Sequence, residues 1–131
     1  LRYHGIAPTI SVLVQEKQMT TEAYNQIEVF DAAKTFIQSE GIIPAPEPAH
    51  AIKGAIDEAL RCKKTGEAKT ILFVLCGHGY FDMAAYDEYF SGNLQPYEYP
   101  TEKVAQSMDK LHKLYPWLND VNKKFISCET I

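Results

Sequence analysis

Several absences narrow the reading before any motif is considered. No apolar run approaches the roughly 20 residues that cross a bilayer, and no basic region followed by an apolar core opens the sequence. No membrane partner is therefore expected. There is no block of Lys or Arg, and the formal net charge is −4, so a nucleic-acid partner, which needs a basic surface, is not expected either. Cysteine is scarce: Cys62, Cys76 and Cys128 are an odd number with no Cys-x-x-Cys, which favours a reducing, cytoplasmic setting over a disulfide framework. Internal repeats and low-complexity stretches are missing. So are a Gly-x-Gly-x-x-Gly fingerprint and a Walker loop. The histidines (His4, His50, His78 and His112) stand nowhere at metal-ligand spacing to one another or to the cysteines, so no zinc site is expected.

What is present suits one modest α/β domain: 131 residues, of which 46% are apolar. The most distinctive stretch is Thr70-Ile71-Leu72-Phe73-Val74-Leu75, running into Cys76-Gly77-His78-Gly79. Six residues, nearly all apolar and several β-branched, predict a strand buried on both faces. The carboxyl end of such a strand is where open α/β sheets bind ligands. Gly77 and Gly79 can take positive φ and let a ligand approach the backbone closely, and Phe81-Asp82-Met83-Ala84-Ala85 restarts a helix. Cys76, at the start of that turn, could be a nucleophile whose pKa a helix N-terminus lowers, but only His78 is placed to activate it and a buried structural thiol is the commoner case.

In chain order, Pro8 suits the first position of a helix. Thr9 to Glu16 fits a strand through Ile10, Val12 and Val14, or a helix through Ile10, Leu13 and Val14. Thr20 to Tyr24 reads as a short edge strand. Asn25 with Glu28 forms an approximate capping box, Ile27, Phe30, Ala33 and Ile37 make an apolar stripe, and Gly41 supplies the stop. After the stiff Ile42-Ile43-Pro44-Ala45-Pro46-Glu47-Pro48 connector, Pro48 opens a helix with Ile52, Ala55, Ile56, Ala59 and Leu60 inward, ending near Gly66. Glu47, just before that helix, reads as a helix-start acid, and His50 as a surface or core histidine. Asn93 to Pro100 is a linker, and Thr101 caps a last helix with Val104, Met108, Leu111 and Leu114 or Tyr115 as its stripe. Trp117 to Ile131 shows no period. One strand does not make a sheet, so its neighbours must be weak strands here or lie outside this chain. Leu1 stands inside a motif, so the expectation is a piece of a longer chain.

Three ordered motifs now carry a resemblance: Leu1-Arg2-Tyr3-His4-Gly5-Ile6-Ala7-Pro8; Glu40-Gly41-Ile42-Ile43-Pro44-Ala45-Pro46-Glu47 with Ala49-His50-Ala51-Ile52; and Cys76-Gly77-His78-Gly79-Tyr80-Phe81-Asp82. Together they resemble the C-terminal third of a tryptophan synthase β chain. The match is closest to the second type of that chain, which tends to carry Arg-Tyr-His-Gly and Gly-His-Gly here. The resemblance runs from Leu1 to about Pro100. It implies the C-terminal part of a fold type II pyridoxal 5′-phosphate enzyme, with helices packed on a small parallel-type sheet over 1–95; the linker plus helical tail over 96–131 rests on the residues alone. The implied reaction eliminates the hydroxyl of L-serine and adds indole to give L-tryptophan, with the cofactor as electron sink. Cys76 falls where the family usually has a serine bonded to the pyridine nitrogen, and a thiol is the weaker partner. Glu47 matches a glutamate near the cofactor ring, and Gly77 borders the same pocket. Arg2 falls near the substrate hydroxyl, where the commoner β chain has aspartate. Leu1, Tyr3 and Gly5 match positions whose carbonyls line a monovalent-cation site. Pro48 replaces a usual serine.

The Schiff-base lysine, the catalytic glutamate beside indole and the phosphate cup belong to the N-terminal part of such enzymes, and no segment here resembles them. The chain alone should be inactive, completed by the missing N-terminal part in a homodimer, with an α chain as a further partner. The alternatives are another β-elimination or β-replacement enzyme of the same fold type, serine deaminase-like, and a non-catalytic interaction module with Trp117 and the tail as its contact surface.

Overall fold

The computed structural model describes residues 6–97 and 100–116. Arg2, Leu1, Tyr3, Gly5, His4, Cys128 and the Trp117 tail lie outside the described residues. The chain divides into two compact units, Leu1–Tyr97 and Glu98–Ile131.

In the first unit, the ambiguous opening stretch is a helix, α1 (Pro8–Gln15), with Pro8 at its start. There the missing proline N–H leaves nothing unsatisfied. Thr20–Tyr24 pairs with nothing and is no strand. Its last residue instead anchors the segment on the second long helix: the Tyr24 ring lies 5.0 Å beneath Lys53 Nζ. The Tyr24 hydroxyl donates to Glu22, which, with burial, raises its pKa.

The signals for α2 (Gln26–Glu40) are local, and they hold. Asn25 Oδ1 accepts from Ile27 N at 3.0 Å, Glu28 accepts from Asn25 N at 3.1 Å, and Gly41 closes the helix at φ 68°. Such a cap stabilises by about 1 kcal/mol. Phe30 and Ala33 are buried as expected, but so are Val29 and Ala32. The buried face is wider than one stripe because α2 is covered by both α3 and α4.

The helix α3 (Pro46–Thr65) starts two residues before Pro48, with Ala45 extended at its N-cap and Gly66 left-handed at its end. The first-turn N–H groups have no intrahelical partner, so prolines at 46 and 48 both fit inside it. Glu47 therefore sits within the first turn. Ile52 is buried as expected, whereas Ala59 and Leu60 are exposed. At its far end Arg61 donates to Glu58 at 2.8 Å and Lys69 donates to it at 3.2 Å. These bonds hold the Glu58 carboxyl down at about 2. The cluster is exposed and adds little to stability.

The expectation that fails is the buried strand. Thr70–Leu75 has no ladder partner, and no strand occurs among the described residues; there is one isolated antiparallel bridge, Pro44 to His78. Burial still alternates with the period of a strand. Ile71 and Phe73 are half-buried, and Phe73 meets Phe36 of α2 edge-on at 5.9 Å. Leu72 is 93% and Val74 68% exposed. Strand structure needs hydrogen bonds from a neighbour, and none of the described segments supplies them.

After Cys76 the chain makes a short 3-10 turn (Gly79–Phe81), and α4 (Met83–Phe90) begins two residues later than expected. Val29, Phe30, Ala33, Ala49 and Tyr86 form the core, with Ile43, Tyr89 and Leu94 packed around it.

In the second unit, α5 (Thr101–Leu114) has Pro100, not Thr101, as its N-cap, and no side chain caps it. Of its expected stripe, Met108 is half-buried, while Val104 and Leu111 are exposed. No described helix is long and apolar enough to cross a membrane.

Candidate functional site

Two segments that lie more than 30 residues apart in sequence meet side by side. Ala45 N donates to Gly77 O at 3.0 Å, and Gly79 N donates to Ile43 O at 2.8 Å. The two bonds flank the Pro44–His78 bridge, which makes Ile43–Ala45 and Gly77–Gly79 a minimal antiparallel pair. Glu47 follows Ala45 by two residues in the first turn of α3, and Cys76 precedes Gly77. Both side chains are exposed, and Cys76 is a free thiol.

The glycines here do not take positive φ; among the described glycines that belongs to Gly41, Gly66 and Gly92. Their role is room. A Cβ on Gly79 would lie 2.6 Å from Pro44 O, 2.8 Å from Ile43 Cγ2 and 3.0 Å from Tyr86 Cε2. A Cβ on Gly77 would lie 3.2 Å from Ala45 Cβ.

The histidines have local duties. His78 Nδ1 accepts from Tyr80 N at 3.3 Å, which leaves the ring proton of the neutral form on Nε2. The ring also touches those of Tyr80 and Phe81, at 4.7 and 5.5 Å. His50 Nδ1 bonds to Pro46 O at 2.8 Å, so this histidine fastens its own helix start. No group of three His, Cys, Asp or Glu able to hold a metal occurs among the described residues.

Two residues of this region carry weight that no sequence motif assigned to them. Pro44 is buried, and the Tyr86 hydroxyl donates to its carbonyl at 2.6 Å. Burial first, and then the charge of Asp82, pushes the Tyr86 hydroxyl up to about 12. The recurrence of Met83, Tyr86 and Phe90 at helical spacing was the available signal. A separate groove of about 260 Å³ between α2 and α3 is lined by Glu28, Asp31, Thr35, Lys53, Asp57 and Leu60, among others. Its lysine is already engaged by Asp57 at 2.6 Å.

Comparison with known proteins bears on this arrangement. No family model matches the chain. Over 94 residues the chain is 62% identical to tryptophan synthase beta chain 2 of Aquifex aeolicus (strain VF5). The same description applies to a Methanosarcina acetivorans protein, 63% identical over 94 residues, and to a Thermococcus kodakarensis protein, 55% identical over 98. The chain is a relative of the tryptophan synthase beta chain. The similarity is to a C-terminal portion of it: 72% of this chain but 22% of the Aquifex aeolicus protein is covered, and 75% and 22% for the Thermococcus kodakarensis one. The chain thus spans about a fifth of the length of the curated relatives it matches.

Proposed function

We propose that this chain supplies the ring side of a pyridoxal 5′-phosphate pocket in a tryptophan synthase β-type enzyme of fold type II, one that makes L-tryptophan from L-serine and indole. The observation that carries the reading is the pairing of Ile43–Ala45 with Gly77–Gly79, which joins the first turn of α3 to the turn that starts at Cys76. The donor set fits one end of the cofactor. Cys76 offers a thiol to a ring nitrogen, Gly77 an uncluttered backbone, and Glu47 a carboxyl group near the ring.

Neither Ile43–Ala49 nor Cys76–Asp82 contains a lysine or arginine, so these segments offer the phosphate no cationic side chain. In this reading the phosphate cup and the Schiff-base lysine come from the remainder of the enzyme. When bound, the cofactor serves as the electron sink for β-elimination and β-replacement. The protein's part at this end is to orient the ring and to set the charge at its nitrogen.

The same remainder would provide the sheet that Thr70–Leu75 lacks, since the bare Leu72 and Val74 side chains are what a strand facing a further layer presents. Arg2 would approach the substrate hydroxyl, and the Leu1, Tyr3 and Gly5 carbonyls would line a monovalent-cation site. A homodimer, an α-chain partner and a cytoplasmic location complete the proposal.

The test is titration of the chain itself with pyridoxal phosphate. No visible absorbance band removable by a single lysine substitution is expected, because the attachment lysine belongs elsewhere. A stoichiometric coloured complex lost on changing one lysine of this chain would contradict the division of labour.

A further inference from the structure

Pro44 lies opposite His78, and its neighbours use Ile43 O and Ala45 N to bond Gly79 and Gly77. In an antiparallel pair the carbonyl of the residue between those bonds faces the other edge. A proline offers no N–H, so this carbonyl is the one backbone polar group that Pro44 has to satisfy. The Tyr86 hydroxyl reaches it across 42 residues of chain. Tyr86 is 2% exposed, and Phe30 of α2 meets its ring edge-on at 5.0 Å. A phenylalanine would fill the same space and keep that ring contact, so the hydroxyl is not needed for packing.

We propose that Tyr86 is a positioning residue: by holding the Pro44 carbonyl it fixes Ile43–Ala45 against Gly77–Gly79, and so fixes the Glu47 turn relative to Cys76. Its consequence for cofactor binding rests on the function proposed above; the clamp itself does not. With Tyr86 in place, the two crossing bonds stay closed and the α3 start is held in register with the Cys76 turn. Without the hydroxyl, the buried carbonyl loses its donor and the pair opens to recover one from water.

The experiment is amide hydrogen exchange on the 131-residue chain carrying Tyr86→Phe. The Ala45 and Gly79 amides, which donate across the pair, should exchange about tenfold faster or more, while the Val29 and Phe30 amides of α2 stay unchanged. Tyr89→Phe is the control; it removes a hydroxyl of the same helix that bonds to Asp31, and should leave all four amides alone. A second arm joins the chain to the part of the Aquifex aeolicus relative that it does not cover. There pyridoxal phosphate, followed by fluorescence, should bind about fivefold more weakly or worse in Tyr86→Phe, and normally in Tyr89→Phe. Exchange that is unchanged at Ala45 and Gly79, or accelerated evenly along α2 and α3, overturns the clamp. Unchanged cofactor affinity in Tyr86→Phe overturns the positioning role. If the joined protein without substitutions binds no pyridoxal phosphate, the proposed function falls, and the exchange arm still decides the clamp.

Discussion

Gly79→Ala should destabilise the first unit by about 3 kcal/mol, the upper part of the range for overpacking a filled site. The new methyl would meet the Pro44 carbonyl oxygen at 2.6 Å, Ile43 Cγ2 at 2.8 Å and Tyr86 Cε2 at 3.0 Å. The oxygen is backbone and is already held by the Tyr86 hydroxyl, so it has no room to retreat. Relief requires breaking the Gly79–Ile43 hydrogen bond, which parts the two halves of the candidate site. Gly77→Ala is the matched comparison, because its methyl would meet Ala45 Cβ at 3.2 Å and a shift of a few tenths of an ångström relieves it. Denaturant unfolding followed by circular dichroism should place Gly79→Ala well below Gly77→Ala. Equal losses would mean that the close approach at Gly79 is not what that glycine serves.

The second large effect concerns the charge at the ring nitrogen, and it rests on the proposed function. In the chain joined to the rest of a β-type enzyme, Cys76→Ser should keep or raise kcat/KM for L-serine plus indole. A hydroxyl is a stronger neutral hydrogen-bond partner than a thiol, a difference of about 1 kcal/mol. Cys76→Asp should lower it, because a carboxylate there holds a proton at the ring nitrogen, opposite charges favouring the ionised form. Were Cys76 a covalent nucleophile instead, the serine variant would lose orders of magnitude, an unactivated hydroxyl being far less nucleophilic than a thiolate. Measuring kcat/KM at verified full cofactor occupancy separates the two, and collapse of the serine variant would refute a ring-nitrogen role.

Features fixed by a few neighbouring residues were legible in the sequence. The Asn25–Glu28 box, the stops at Gly41 and Gly66 and the Pro8 start each depend on local backbone chemistry that one sequence carries. The α3 start moved from Pro48 to Pro46 because a helix tolerates proline throughout its first turn. Thr70–Leu75 stays unpaired for the opposite reason. Its composition specifies a strand, but a strand is completed by a neighbour, and none of the described segments is one. Conformational freedom at the glycines of the candidate site can be inferred from residue type, whereas which groups approach them closely is known only from what packs alongside. The helical recurrence of Tyr86 with Met83 and Phe90 marks a helix face but not the partner, Pro44, which is 42 residues away. Glu47 and Cys76 are candidates through motif resemblance, and the segments bearing them are joined by backbone pairing that no hydrophobic pattern encodes.

The central claim is that this chain completes a tryptophan-forming enzyme. Its most direct test is the yield of L-tryptophan from L-serine and indole when the chain is joined to the part of the Aquifex aeolicus relative that it does not cover. The account predicts pyridoxal-phosphate-dependent tryptophan formation by the joined protein and none by either part alone. A joined protein that is folded by circular dichroism and binds pyridoxal phosphate stoichiometrically, yet forms no tryptophan, would contradict it.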